Sequence, residues 1–159
     1  GPNVIIHGSG VCAGYSTTML PIPKMTLHFS GGGGAGGAGI AAALKATGRE
    51  DIPVLAFGGD GSVSDISFAQ VSACAQRNDN MIFFCMDNEA YMNTGNQKST
   101  LTPWGAATTT SPAGHVEWKK DLPMIMAMHR PAYVATVSPA FPQDFKAKVK
   151  KALGMKGYR

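Results

Sequence analysis

Two short polar turns, each directly after an apolar run, constrain this chain more than any other feature. The first turn is GGDGS at residues 58–62, the second is DNEAYMNTG at residues 87–95, and 25 residues separate Gly61 from Asp87. The apolar runs before them, PVLAFG and MIFFCM, have the length and composition of buried strands. The spacing leaves room for one helix, so the pattern predicts two parallel strands joined by a right-handed helical crossover.

Local signals place the helix of this crossover. Ser62, with Asp65 three residues later, resembles a capping box and predicts that the helix begins there. A helix N-terminus at this point would also favour an anionic phosphate. We expect the helix to end near Arg77 and Asn78. The side chains predicted to enter the core are those of Ile66, Ala69, Val71, Ala73 and Cys74.

The two polar turns are expected to share one edge of the sheet, because α/β sheets bind ligands at the carboxyl ends of their parallel strands. Asp60 and Asn88 would supply hard oxygen ligands there. Mg²⁺ takes about six such oxygens at about 2.1 Å, some of them often from phosphate. Glycines allow the backbone to approach phosphate oxygens. A GDG turn alone is a weak signal and an ordinary connection is the alternative, but the two turns together predict a metal-bound diphosphate.

The same residues resemble a known family. Gly59-Asp60-Gly61 with the DNEAYMNTG stretch is similar to the thiamine diphosphate motif of the 2-oxoacid:ferredoxin oxidoreductases. The likeness covers most of the chain from Pro2 and is closest over residues 57–114. It includes TPWGA at 102–106, TTTSP at 108–112, KKD at 119–121 and YVAT at 133–136. The resemblance is greatest to the β subunit of the pyruvate-type enzyme and implies a thiamine diphosphate-binding fold.

The resemblance implies roles for individual residues. Asp60 through its carboxylate, Asn88 through its side-chain oxygen and Ala90 through its carbonyl would bind Mg²⁺. Asn93 would be catalytic, its amide holding the developing oxyanion of the substrate; the alternative is a turn residue that bonds its own backbone. Glu89 is expected to order the loop. The full set of expected cofactor-binding residues is Gly59, Asp60, Gly61, Ser62, Asn88, Ala90, Asn93 and Thr94.

The implied activity is oxidative decarboxylation of a 2-oxoacid, with pyruvate as the expected substrate. Coenzyme A would take the acyl group, carbon dioxide would leave, and electrons would pass through iron–sulfur clusters to ferredoxin. Partner subunits of the alpha, gamma and delta type are expected, one of them supplying the glutamate that activates the cofactor. Alternatives are a branched-chain 2-oxoacid or oxalate as substrate, a non-redox thiamine diphosphate decarboxylase, and a subunit that keeps the motif without catalysis.

Cysteine content is where the chain departs from the family. The β subunit normally carries four cluster thiolates, whereas this chain has Cys12, Cys74 and Cys85. Cys12 falls at or beside the position of one family ligand, while Cys74 and Cys85 lie in a predicted helix and strand and are expected to be small core residues. A [4Fe–4S] cluster takes four thiolates, so it could form only with segments outside this chain. We therefore expect residues 1–159 to be a single domain of an incomplete β subunit.

Composition narrows the remaining possibilities. The expected fold is a doubly wound α/β sheet of about five parallel strands.

Residues 30–39 contain seven glycines. These residues are expected either to approach the cofactor or a partner chain closely or to be flexible. A helix is predicted from Ile40, and it stops at Gly48. No apolar run is long enough to span a membrane, and nucleic-acid binding is not expected. The few unpaired cysteines favour a cytoplasmic protein.

Two later segments have expected roles. The stretch of about twenty-five residues after Thr94 has no regular pattern and is predicted to line the substrate pocket. A last helix is predicted from about Pro142 to about Gly154. The net charge of +4 is concentrated on and after this helix. These basic residues form either a solvated face or a docking surface for an acidic ferredoxin.

Overall fold

The protein is built around a parallel sheet, in a computed structural model that describes residues 5–9, 24–28 and 33–159. Its strands are β1 (Ile5–Ser9), β2 (Lys24–His28), β3 (Val54–Gly59) and β4 (Ile82–Met86), in the order β2-β1-β3-β4. All adjacent pairs are parallel. Because the chain moves from β1 to β2 at one edge and then returns to β3 on the other side of β1, the strand order reverses at β1. This is a doubly wound arrangement, and the predicted fold class is confirmed.

The described residues hold four strands where about five were expected. The chain end adds a short fifth segment, because Tyr158 forms a parallel bridge with Met81 outside β4. Arg159 extends this pairing by donating its backbone N–H to the Met81 carbonyl at 3.0 Å and accepting from Phe83 N at 2.7 Å. The edge of β4 is therefore covered only near its amino end by this segment.

Four α-helices lie in the described residues: α1 (Gly33–Ala46), α2 (Phe68–Arg77), α3 (Leu122–Met128) and α4 (Pro142–Leu153). None of the helices described is both long and apolar enough to cross a membrane. Asn78, in the left-handed conformation with φ of 56°, ends α2 where the sequence predicted. The predicted last helix is also confirmed as α4, and Gly48 follows α1 with a positive φ of 67°.

The glycine-rich stretch forms the first half of α1, so this helix begins well before Ile40. A Cβ at Gly37 would lie 2.7 Å from Met81 Sδ and 3.1 Å from Ala56 Cβ. A Cβ at Gly34 would lie 3.2 Å from the α2 backbone. The small residues therefore allow α1 to pack directly on β3 and α2. At these two positions the close approach is made within the chain itself; residues 30–32 lie outside the described part.

The predicted start of the crossover helix was wrong in detail. The chain enters helical conformation at Asp60, directly after β3, and Ser62–Ile66 forms a π-helical turn. The N–H of Ser67 donates to the Ser62 carbonyl at 2.8 Å, and its hydroxyl does so at 2.5 Å. The wider turn changes which residues face inward: Val71 and Cys74 are buried as predicted, but Ile66 is 61% exposed. Ala69 is also exposed, and Ala73 is half-buried.

The core lies between β3 and the helices. Alternate residues of β3 are buried, and Ala56 has no exposed surface. Met81, with 0% exposure, fills the space between α1 and β3 and is among the largest fully buried side chains. The buried apolar cluster consists of Ile40, Leu44, Ile52, Val54, Ala56, Val63, Val71, Cys74, Ala75, Met81, Leu101, Leu122, Met126 and Tyr158. It includes Leu101 and Leu122, so the irregular segment after β4 is anchored to the same core.

We predict that Met81→Ala lowers the free energy of unfolding by about 2–5 kcal/mol, because it leaves a cavity under α1 that Gly37 cannot fill. Urea denaturation followed by circular dichroism measures this. Met128→Ala is the matched control, since Met128 is 77% exposed, and it is expected to change the free energy by less than about 0.5 kcal/mol. Equal effects for the two variants would contradict this account of the core.

Candidate functional site

The two polar turns meet at one edge of the sheet. In the parallel pairing of β3 and β4, Gly59 lies opposite Met86, so the chain leaves both strands at the same level. Asp60 follows β3 directly, and the turn of residues 87–90 follows β4. As a result, the Asn88 amide lies 3.0 Å from Asp60 Oδ1 and 2.7 Å from the Ala90 carbonyl oxygen. The structure thus brings together the three residues that were expected to bind a cation.

The atom of the Asn88 amide that faces these two partners is its oxygen. Three oxygens that face one another repel unless a cation lies among them. An octahedral ion with ligands at about 2.1 Å holds neighbouring ligands about 3.0 Å apart, which matches the two separations of 3.0 and 2.7 Å. If the amide were rotated by 180°, its NH₂ group would donate to both acceptors. The same three groups could then lie together without a cation. The site therefore fits Mg²⁺ in ligand type and in spacing.

The carboxyl group of Asp60 is buried, with 3% of the residue exposed. Burial raises the pKa of Asp60 because it disfavours the charged form, and the nearby charge of Asp87 adds to this rise. Hydrogen bonds from the Ser99 hydroxyl and the Gly61 backbone act in the opposite direction. A bound cation would offset the same cost, since it stabilises the carboxylate directly. Among the described residues, no group of three or more His, Cys, Asp or Glu side chains could hold a metal, so a cation here needs mixed ligands.

The hydroxyl groups of Ser99 and Thr102 bond to the two turns. Ser99 Oγ donates to Asp60 Oδ2 at 2.5 Å and accepts from Leu101 N at 3.2 Å. Thr102, which is 1% exposed, donates from Oγ1 to the Glu89 carbonyl at 2.6 Å and accepts from Ser99 N at 2.9 Å. One short segment thereby connects both turns. Sequence reasoning missed Ser99, because no local pattern indicates a contact across 39 residues.

The turn after β4 has an uncommon backbone conformation at Glu89, whose φ is +69°. Non-glycine residues rarely adopt it. Its N–H donates to Asp87 Oδ1 at 2.9 Å. Lys119 Nζ forms ion pairs with Asp87 Oδ2 at 2.7 Å and with Glu89 Oε1 at 3.0 Å. Burial lowers the pKa of Lys119, but its bonds to the two carboxylates outweigh this and raise it. The expectation that Glu89 orders the loop agrees with these contacts.

Tyr91 packs against the first turn at Gly61. Its hydroxyl donates to the Gly61 carbonyl at 3.0 Å and to Asp65 Oδ2 at 3.1 Å. A Cβ at Gly61 would lie 2.3 Å from the Tyr91 ring, so only glycine fits. Burial, together with the Asp65 charge, raises the pKa of Tyr91. Asp65 also accepts from the Thr100 side chain. Ser62 is not the cap residue of this turn, because Gly61 occupies that position, so the predicted capping box at Ser62 was wrong.

The other expected site residues lie around this centre. Gly59 is the last residue of β3, and Ser62 is buried at the start of the π-helical turn. Asn93 and Thr94 lie on an exposed 3₁₀ turn, Met92–Thr94. The Thr94 hydroxyl bonds Gln97 Oε1 at 2.6 Å within the same loop. Asn93 is thus exposed to solvent, later in the same polar turn that carries Asn88 and Ala90.

The described cysteines lie in regular secondary structure: Cys74 is buried in α2, and Cys85 is half-buried in β4 and packs against the core. Burial raises the pKa of the Cys74 thiol to about 11 and that of Cys85 to about 12. This agrees with their predicted role as core residues. Cys12, the candidate iron–sulfur ligand, lies outside the described residues.

A cavity of about 700 Å³ lies beside β4. Residues of β4, α3 and α4 line it together with residues 133–137, and Asp87 and Lys119 lie on its wall. Asp60, Asn88 and Ala90 are not among its lining residues, whereas Asp87, directly before Asn88, is. From the irregular stretch after Thr94, the residues that reach it are Leu101, Lys119, Lys120 and Asp121. Ser99 and Thr102 of that stretch instead support the two turns.

The fold and these contacts define the class of the protein: an α/β domain with three converging oxygen atoms at the carboxyl edge of a parallel sheet. The family model "Thiamine pyrophosphate enzyme, C-terminal TPP binding domain" matches residues 8–159. The chain belongs to this family.

Individual relatives agree with the resemblance. The chain is 44% identical over 162 residues to pyruvate synthase subunit PorB of Methanothermobacter thermautotrophicus, covering 96% of this chain and 56% of the relative. It is 46% identical over 121 residues to the beta subunit of NADH-dependent phenylglyoxylate dehydrogenase from Aromatoleum evansii, covering 73% of this chain and 27% of that protein. The chain spans about half the length of the pyruvate synthase relatives. The predicted similarity to these oxidoreductase subunits is confirmed.

A solved structure extends the comparison to the fold. The 2-oxoglutarate:ferredoxin oxidoreductase of Magnetococcus marinus, with 2-oxoglutarate, coenzyme A and succinyl-CoA bound, matches with a TM-score of 0.88 and 28% identity. The match covers 99% of this chain and 52% of that one. The whole described architecture is therefore shared with an enzyme that acts on a 2-oxoacid.

We predict that Gly61→Ala destabilises the protein by about 1–3 kcal/mol, because the added methyl group must displace the Tyr91 ring. Gly39→Ala is the matched control: it lies on an exposed part of α1 with no atom within 4 Å of an added Cβ. There, alanine is expected to stabilise by about 0.5–1 kcal/mol, since it favours helix over the unfolded chain. Thermal or urea unfolding distinguishes the two, and destabilisation by both would show that steric contact with Tyr91 is not the cause.

Proposed function

We propose that Asp60, Asn88 and Ala90 bind Mg²⁺ and, through it, the diphosphate of thiamine diphosphate. The observation that carries this proposal is the convergence of their three oxygens, at separations of 3.0 and 2.7 Å, in a chain of the thiamine pyrophosphate enzyme family. Asp60 would supply the negative charge, and Asn88 and Ala90 would supply two neutral oxygens. The remaining oxygen ligands of Mg²⁺ would come from the diphosphate and from water.

The surrounding backbone suits the diphosphate. Gly59 and Gly61 flank Asp60 without side chains, and Gly61 begins the helical turn that carries Ser62. Backbone N–H groups at the start of a helix favour an anion. Thr94 has its hydroxyl committed to Gln97, so its contribution to cofactor binding comes from the backbone of the 3₁₀ turn.

The reaction proposed for the whole enzyme is oxidative decarboxylation of a 2-oxoacid to an acyl-CoA and carbon dioxide, with the electrons passed to ferredoxin. When bound, thiamine diphosphate supplies the carbanion chemistry and accepts the electrons released as carbon dioxide leaves. In this chain Asn93 donates from its amide to the substrate oxygen that gains negative charge. A neutral, fixed donor suits this role because it stabilises developing charge without becoming charged itself.

Pyruvate is the proposed substrate. The support is the identity of 44% to a pyruvate synthase subunit, against 28% to a 2-oxoglutarate enzyme of the same fold. The phenylglyoxylate dehydrogenase subunit, at 46% identity over a shorter stretch, makes an aromatic 2-oxoacid the second candidate. Branched-chain 2-oxoacids and oxalate remain the further alternatives within the same chemistry.

The assembly is proposed to contain other subunits, because the relatives are themselves named as subunits. This chain represents the thiamine diphosphate-binding part of a β subunit, in an enzyme of the cytoplasm with alpha, gamma and delta type partners. A partner subunit supplies the glutamate that activates the cofactor. A [4Fe–4S] cluster would require thiolates in addition to Cys12, since Cys74 and Cys85 are committed to the core.

We predict that Asp60→Asn abolishes Mg²⁺-dependent binding of thiamine diphosphate, weakening it at least about a hundredfold, since even outer-shell partners are worth about 10–100-fold in metal affinity. Calorimetry with and without a chelator measures this. Asp144→Asn is the control, because Asp144 lies on the surface of α4, paired with Lys148. Unchanged affinity in Asp60→Asn would remove Asp60 from the metal site and defeat the proposal.

We predict that Asn93→Ala keeps the cofactor affinity of the wild type but lowers kcat by about 10²–10³-fold, the usual effect of losing one oxyanion donor. Pyruvate-dependent, coenzyme A-dependent reduction of ferredoxin by the whole enzyme measures kcat. A rate close to wild type would return Asn93 to the role of a turn residue.

The same assay separates the functional alternatives. Reduction of ferredoxin with phenylglyoxylate, oxalate or a branched-chain 2-oxoacid, but not with pyruvate, would change the substrate and leave the chemistry intact. Carbon dioxide release without ferredoxin reduction would favour a non-redox decarboxylase. Cofactor binding without any turnover would favour a non-catalytic subunit.

A further inference from the structure

Alternate residues of the turn after β4 have different roles. The Asn88 amide faces Asp60 Oδ1 and the Ala90 carbonyl oxygen, while Asp87 and Glu89 are both bound by Lys119 Nζ, at 2.7 and 3.0 Å. The two residues held by Lys119 come immediately before Asn88 and immediately before Ala90. A single ammonium group therefore holds the side chains on both sides of Asn88 and the one directly before Ala90.

The clamp acts on the residue with the least favourable backbone. Glu89, at φ of +69°, is in the left-handed region, which costs a non-glycine residue free energy and persists only where surrounding contacts hold it. Three contacts hold this one: Asp87 Oδ1 on its N–H, Thr102 on its carbonyl and Lys119 on its side chain. Release of Glu89 would let the turn relax and carry the Ala90 carbonyl away from the Asn88 amide.

We propose that Lys119 is a positioning residue for the metal site: by binding Asp87 and Glu89 together, it holds Asn88 and Ala90 in the arrangement that receives Mg²⁺. This inference rests on the proposed function of the site. The proposed effect of Lys119 on Mg²⁺ affinity is opposite to the effect of its charge, because Lys119 is itself a cation near the proposed cation site. By Coulomb's law alone its removal would tighten Mg²⁺ binding, whereas loss of positioning weakens it.

The test uses the purified whole enzyme, stripped of metal with a chelator and saturated with thiamine diphosphate, into which Mg²⁺ is titrated calorimetrically. We expect Lys119→Met to weaken Mg²⁺ binding by about 10–100-fold, the range for residues that orient metal ligands. Lys119→Arg is expected to restore most of the affinity, since a guanidinium can bind both carboxylates. Unchanged or tighter Mg²⁺ binding in Lys119→Met would overturn the proposal.

Lys98→Met is the matched control. Lys98 forms a comparable exposed ion pair with Glu117 at 2.8 Å, in the same irregular segment, and its ammonium group bonds both carboxylate oxygens of Glu117. We expect its Mg²⁺ affinity to equal that of the wild type. If Lys98→Met weakened binding as much as Lys119→Met, a general loss of structure would explain both results and the positioning role would be rejected.

A double variant distinguishes positioning from charge and also serves if Lys119→Met alone folds poorly. Glycine adopts the left-handed conformation without assistance, so Glu89→Gly should recover Mg²⁺ affinity in the Lys119→Met background. An effect of charge alone instead predicts tighter binding in Lys119→Met and weaker binding in the double variant than in Lys119→Met, because the second change removes a carboxylate near the cation. If the wild type binds Mg²⁺ and Asp60→Asn does not, the proposed metal site is supported even where Lys119 does not position it. Absence of Mg²⁺ binding in the wild type would overturn both proposals.

Discussion

The parallel register of β3 and β4 is the constraint on which the site depends. Gly59 opposite Met86 makes both strands end at one level, so that Asp60 and the turn of residues 87–90 leave the sheet side by side. A register shift by one residue would move one turn by about 3.3 Å along the strand direction. That distance exceeds the separations of 3.0 and 2.7 Å between the facing oxygens. Alternate residues of β3 are buried, and the strand packs against α1 at Gly37, beside Met81. This packing holds β3 in register and therefore also fixes the geometry of the site.

The site gathers several groups that folding alone would not favour. Asp60 is a buried carboxyl group, Glu89 has a left-handed backbone, and the chain between β3 and α2 contains a π-helical turn. Each costs free energy in the absence of a ligand, and π turns often occur at functional sites. The cost of burying Asp60 is the clearest case, because a cation bound by its carboxylate would offset it. These three features all lie within the two turns at one edge of the sheet.

The parts of the fold that could be predicted were those encoded locally. The apolar runs gave β3 and β4, the composition around Pro142 gave α4, and Asn78 ends α2 because it tolerates a positive φ. The start of α2 could not be predicted in this way: Ser62 with Asp65 has the spacing of a capping box, but Asp65 bonds Tyr91 and Thr100 instead. The helix over the glycine-rich stretch was also missed, since glycine disfavours helix locally, and tertiary packing of Gly37 against Ala56 and Met81 overrides this.

The long irregular segment after Thr94 has a physical explanation in the same terms. Two turns that meet at a sheet edge need support from outside the sheet, and neither strand can supply it. The segment returns first with Ser99 and Thr102, which bond Asp60 and the Glu89 carbonyl, and later with Lys119, which bonds Asp87 and Glu89. Leu101, buried in the core between the first two, fixes their position. The turn of residues 87–90 is thus held at the Glu89 carbonyl by one part of the segment and at the Asp87 and Glu89 side chains by another. Because these contacts span up to 39 residues, the sequence motif predicts the candidate ligands, whereas only the three-dimensional structure identifies what keeps them in place.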